Sequence, residues 1–136
     1  RYKINMEKEE LFYDIAKSWS RDTCYPLCKE NWNIDNPSLG QCAVTSLVVN
    51  DFLGGKIMRC MCGDMSHYYN VVNGEIIDFT VEQFEGKIPE YYNSEEKNRN
   101  DLLENKNTAF RYFLLLENVK NKMSEQKNNV KKKIYK

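Results

Sequence analysis

An α+β domain is the fold class this sequence predicts, and three observations lead to it. The segment from Cys42 to Leu53 is apolar nearly all round and is closed by Gly54-Gly55, which reads as a helix buried in a core. Two runs rich in Tyr, Val, Ile and Phe flank Asn73-Gly74, the strongest short signal for an antiparallel hairpin. Amphipathic stretches stand near both ends. At 136 residues the chain suits one domain, here placed over residues 1–125, followed by a basic tail over 126–136.

The elements follow in order. Met6 to Trp19 is a helix, with Leu11, Phe12, Ile15, Ala16 and Trp19 at helical spacing. Ser20 to Leu39 is a loop of Asp, Asn, Pro and Ser that carries Cys24, Cys28 and Trp32. Asn36-Pro37-Ser38 signals a turn and a helix start, and Gly40 allows a close backbone approach. After the buried helix, Lys56 to Cys62 alternates as a strand, and Ser66–Val72 and Glu75–Thr80 form the hairpin. The polar stretch from Tyr91 to Asn107 holds one short helix around Leu102 and Leu103. A last helix spans about Thr108 to Met123, with Phe110, Phe113, Leu114 and Leu116 as its apolar residues. From Asn118 onward seven lysines stand against Glu125 alone, which reads as a solvated, frayed end and not as a nucleic-acid arm.

Composition excludes several function classes. Hydrophobic residues are 41% and charged residues 29%, against wholesale disorder, collagen or coiled coil. The 20 basic and 20 acidic residues cancel, so no global field draws the chain to nucleic acid or a membrane. The longest apolar run, Cys42 to Val49, is too short for a bilayer. No export signal is evident, and the start at Arg1 suggests that the natural one is trimmed or falls at Met6. Five cysteines in no scaffold-like spacing read as free thiols, so the expected compartment is the cytosol.

The chemistry centres on the single histidine. With a two-residue loop at Asn73-Gly74, Val72 faces Glu75, Tyr69 faces Asp78 and His67 faces Thr80. Side chains two apart share a face, so His67, Tyr69, Asp78 and Thr80 point the same way. His67 and Asp78 become diagonal neighbours about 7–8 Å apart at the backbone, a span an imidazole and a carboxylate can bridge. That geometry lets a carboxylate orient a histidine and stabilise its cation. Cys42 stands at the start of the buried helix, where first-turn N–H groups and an imidazole both favour a thiolate. The other four thiols, Cys24 and Cys28 in a loop and Cys60 and Cys62 in a strand, lack a helix start.

Gly40-Gln41-Cys42 entering a helix, His67 on one strand and Asp78-Phe79-Thr80 on the next resemble the core of the transglutaminase-like and papain-like thiol enzymes. More narrowly, Ser18-Trp19-Ser20, Thr23, Tyr25-Pro26, Asn36-Pro37-Ser38, Gly40 to Thr45, Asp51 and Gly54-Gly55 are similar to the bacterial YunG-like family, over roughly residues 10 to 90. The resemblance implies a central helix carrying Cys42 on an antiparallel sheet, with Cys42 as nucleophile, His67 as base and Asp78 as orienting acid. It implies thiol-dependent hydrolysis or acyl transfer on an amide or peptide-like substrate through a thioester, with no cofactor. The backbone N–H of Cys42 is the first oxyanion donor; Gln41, Trp32 and Asn36 are candidates for a second, and Tyr69 for the cleft wall. Gln41 departs from the papain pattern, where the oxyanion glutamine lies several residues before the cysteine.

Two other readings remain open at this stage. One is a catalytically silent binding module that keeps the fold. The other is a small interaction domain with a structural zinc held by Cys24, Cys28, Cys60 and Cys62, although a C-x3-C and a C-x-C depart from the usual spacing. Small amides, peptides and protein partners are not distinguished by sequence.

Overall fold

A computed structural model describes residues 7–134. Among the described residues, four α-helices and a four-stranded antiparallel sheet form an α+β domain. The helices are α1 (Lys8–Ala16), α2 (Cys42–Leu53), α3 (Arg99–Leu103) and α4 (Lys106–Ile134). The strands are β1 (Lys56–Cys62), β2 (Met65–Val72), β3 (Glu75–Ile77) and β4 (Glu95–Lys97), in the order β3-β2-β1-β4.

The buried helix and first strand fall where the sequence predicts, α2 over Cys42–Leu53 and β1 over Lys56–Cys62. The hairpin register also agrees: Val72 pairs with Glu75 and Asn70 with Ile77. Asn73 and Gly74 both take positive φ, 51° and 78°, as a type I′ turn requires. The ladder is shorter than expected, however. β3 ends at Ile77, and the chain turns through Asp78–Thr80 into a 3₁₀ segment at Val81–Phe84, so Tyr69–Asp78 and His67–Thr80 are not ladder pairs.

Other differences have physical causes. α1 ends at Ala16 rather than Trp19, because Ser18 turns back to the Asp14 carbonyl at 2.7 Å; Met6 lies outside the described residues. β4 is a strand the sequence does not announce. Its Glu-Glu-Lys is polar because it is an edge, pairing only with β1 (Arg59 with Glu95). α4 runs on from Lys106 to Ile134, through the expected tail. Gln126 donates to the Asp14 carboxylate at 2.6 Å, so this extension is tied to α1. Its inner face is Tyr112, Leu115, Leu116 and Val119, while Phe110 and Phe113 face solvent.

The core joins Leu11, Ile15 and Trp19 to Val44, Leu47, Val48 and Phe52 of α2, Ile57 and Ile77 of the sheet, and the inner face of α4. Two buried bonds fix α2 against its surroundings. The Trp19 indole donates to Thr45 Oγ1 at 2.9 Å, and the Asn70 amide of β2 donates to the Ser46 carbonyl at 3.0 Å. The second bond holds the hairpin against the first turns of α2. Among the described residues no helix is long and apolar enough to cross a membrane.

Candidate active site

The site assembles where the start of α2 meets the hairpin. His67 is fully buried in β2, opposite Cys60 of β1. Phe84 packs edge-on against the ring at 4.8 Å, and Tyr69 stacks beside it at 6.3 Å. The chain reversal after Ile77 brings Asp78 to the ring, and Nε2 bonds Asp78 Oδ2 at 2.6 Å. Asp78 serves two purposes through its two oxygens. Oδ1 accepts the Thr80 backbone N–H at 3.3 Å, a local turn contact, while Oδ2 takes His67 and the Tyr91 hydroxyl, the latter at 2.7 Å. Leaving the ladder at Ile77 frees Asp78 for both.

The other ring nitrogen, Nδ1, is buried and makes no hydrogen bond of ordinary geometry within the domain. The Cys42 side chain is close enough to the ring to raise its basicity. Burial of the imidazole opposes protonation, but the Asp78 hydrogen bond, then Cys42 and the charge of Asp78, outweigh it and push the His67 pKa from 6.5 to about 9. Burial and the bond to Asp78 push the Tyr91 phenol up, so it remains a donor at neutral pH. Cys42 is half-buried at the N-terminal end of α2, and burial pushes the thiols of Cys24, Cys28, Cys60 and Cys62 up. The structure thus brings Cys42, His67 and Asp78 together.

The remaining candidates divide. Gln41 is fully buried and turned inward: its amide donates to the Ser20 carbonyl at 2.9 Å and accepts from Thr23 Oγ1 at 2.8 Å. Its side chain is therefore a clamp on the preceding loop and not an oxyanion donor. The Trp32 indole is committed to the Pro37 carbonyl at 2.9 Å. Asn36 lines a second cavity, of about 740 Å³, that Cys42 does not line. Tyr69 stands behind the histidine as a supporting wall, its hydroxyl 2.6 Å from Ser94 Oγ. The structure does not group the four thiols of the zinc reading. Cys60 and Cys62 lie on β1 near Asp78, whereas Cys24 and Cys28 sit on the loop near Cys42 and Arg111. Among the described residues no group of three or more His, Cys, Asp or Glu is placed to hold a metal ion.

Cys42 opens onto a cleft of about 540 Å³. Two cleft residues escape the sequence reading. Gln83 accepts the Gly40 backbone N–H at 3.2 Å and donates to Thr80 Oγ1 at 3.1 Å, bracing the turn before Cys42 against the turn that carries Asp78. Arg111 projects from α4. An arginine in an amphipathic helix, with apolar neighbours on its own face, is the signal that was available for it.

The fold and site define a class: a small α+β domain in which a helix start, a hairpin and the turn after it bring a cysteine, a histidine and an aspartate to one cleft. Residues 7–124 match the family model described as YunG protein, and the chain belongs to that family. It is 40% identical over 80 residues to a Bacillus subtilis (strain 168) protein described as uncharacterized protein YunG. That match covers 59% of this chain and 65% of the relative's length. No solved structure matches the chain.

Proposed function

We propose that this chain is a cysteine enzyme of the transglutaminase-like and papain-like kind, a hydrolase or acyltransferase acting on an amide or peptide-like substrate. One observation carries the reading. A buried imidazole spends one nitrogen on a carboxylate at 2.6 Å, keeps the other without a good partner, and lies against a thiol at a helix start. A purely structural histidine would have both nitrogens satisfied.

In this reading the Cys42 thiol gives its proton to His67, the sulfur attacks the substrate carbonyl carbon, and the C=O electron pair moves onto oxygen, stabilised by the Cys42 backbone N–H. Collapse expels the amine, which takes its proton from the His67 cation. Water or a second amine then loses a proton to His67 and attacks the thioester, releasing acid or a new amide and restoring the thiol. Asp78 keeps the ring in one tautomer and favours its cation, and Tyr91 fixes the Asp78 oxygen that receives it.

The test is acylation by an activated ester, p-nitrophenyl acetate, read by peptide mass spectrometry. The adduct is expected on Cys42 ahead of the other four thiols, with the advantage lost in His67→Ala. Equal labelling of all exposed thiols, or a His67→Ala protein that acylates as fast as the parent, refutes the reading and leaves the silent binding module.

A further inference from the structure

Arg111 is the most buried described arginine, only 3% exposed, and it lines the cleft onto which Cys42 opens. Its hydrogen bonds all go to neutral acceptors: Nε to Asn107 Oδ1 at 2.7 Å, Nη1 to the Thr23 carbonyl at 3.2 Å, and Nη2 to Thr108 Oγ1 at 3.4 Å. A guanidinium has five N–H donors, so each terminal nitrogen keeps one donor unspent. Arg59 and Arg99 pair with Glu95 and Asp51, but among the described residues no carboxylate pairs with Arg111. A cation taken out of water without a counter-charge is costly, and an incoming anion offsets that cost.

The surroundings favour an anion. The start of α2 contributes the partial positive charge of its unpaired N–H groups at the same cleft. Asp64 and Asp101 also line the cleft, but both are exposed, where water and salt screen them from its floor. The Tyr25 ring lies 5.9 Å from the guanidinium and limits its freedom to turn away.

We propose that Arg111 is a carboxylate-recognising residue, so that the preferred substrates are amides carrying a carboxylate close to the reacting carbonyl; this deepens, and rests on, the thiol-enzyme reading. The carboxylate is bound and not altered. It arrives either on the acyl side, as in a dicarboxylic half-amide, or on the amine side, as in an N-acyl amino acid, and two arms separate these.

In the first arm, Cys42 acylation by the p-nitrophenyl monoester of glutaric acid is compared with that by neutral p-nitrophenyl butyrate. In the second, N-acetylglycine and N-acetylglycinamide are compared as protectants of Cys42 against iodoacetamide. A charge-assisted pair predicts a preference for the carboxylate of about 10- to 100-fold in one arm. Arg111→Met should abolish it and Arg111→Lys retain part of it, with circular dichroism and melting checking that both fold. No preference in either arm overturns the proposal. So does an Arg111→Met protein that slows equally with charged and neutral esters, because that marks the guanidinium as a counter-charge for the thiol. If neither ester acylates Cys42 but only N-acetylglycine protects it, and only with Arg111 present, carboxylate recognition stands and the enzyme reading fails.

Discussion

Replacing Asp78 by Asn isolates the charge that holds His67. Asn is nearly isosteric, and its carbonyl can still accept the Thr80 N–H, so the turn survives. What disappears is a 2.6 Å charge-assisted bond between two side chains that are 0% and 5% exposed. A hydrogen bond to a charged group is worth about 1.5–3 kcal/mol, and 1.36 kcal/mol corresponds to one pH unit. The His67 pKa should therefore fall from about 9 by about 1–2 pH units, because burial then works against the cation with less opposition. The chain has a single histidine, so one imidazole resonance followed by NMR against pH reports it without ambiguity. Stability follows by linkage. A histidine raised from 6.5 to about 9 on folding contributes about 3 kcal/mol that is fully present below pH 6.5 and lost as pH rises through 9. Urea unfolding of the parent should weaken by about that amount between pH 6 and pH 9.5, and of Asp78→Asn by clearly less. A resonance that titrates near 6.5 in the parent, or moves by less than about half a pH unit on substitution, would refute the argument that Asp78 supplies the charge.

Three further outcomes follow from named contacts. Gln41→Ala leaves the Thr23 hydroxyl and the Ser20 carbonyl without their buried partner, so unfolding free energy should fall by about 1–3 kcal/mol, while the ratio of charged to neutral ester rates is unchanged. Gly40→Ala forces a side chain onto a φ of +71° and places its Cβ 2.9 Å from the Tyr25 nitrogen and 3.0 Å from Cys28 Cβ; melting should drop by several degrees and Cys42 acylation should slow, read by calorimetry and mass spectrometry. Leu115→Ala removes a fully buried side chain of α4 and should cost about 2–5 kcal/mol in urea unfolding, with the His67 titration unmoved.

Much of the fold was local and therefore legible. α2 starts at Cys42 because a turn of Asn36-Pro37-Ser38 precedes it and stops because Gly54 takes a positive φ, both properties of neighbouring residues. Asn73-Gly74 sets the hairpin register by turn geometry alone, so Val72 meets Glu75 and Asn70 meets Ile77 as the local signal requires. The α+β class followed from these elements. Tertiary structure decided what distant segments do to one another. The ladder stops at Ile77 because Asp78 finds better partners in His67 and Tyr91 than in continued pairing, and Tyr91 comes from a segment with no strand or helix period to announce it. β4 forms only because β1 offers it an edge. Gln41 reads as a cleft residue from its place beside Cys42, yet two polar groups of the Ser20–Thr23 turn draw its amide into the interior. Arg111 occupies a helix face that periodicity assigns to the core, and only the packing of α4 beside the start of α2 turns that position into the floor of a cleft. Spacing along the chain specifies which residues share a face; which faces meet depends on how the core closes around α2.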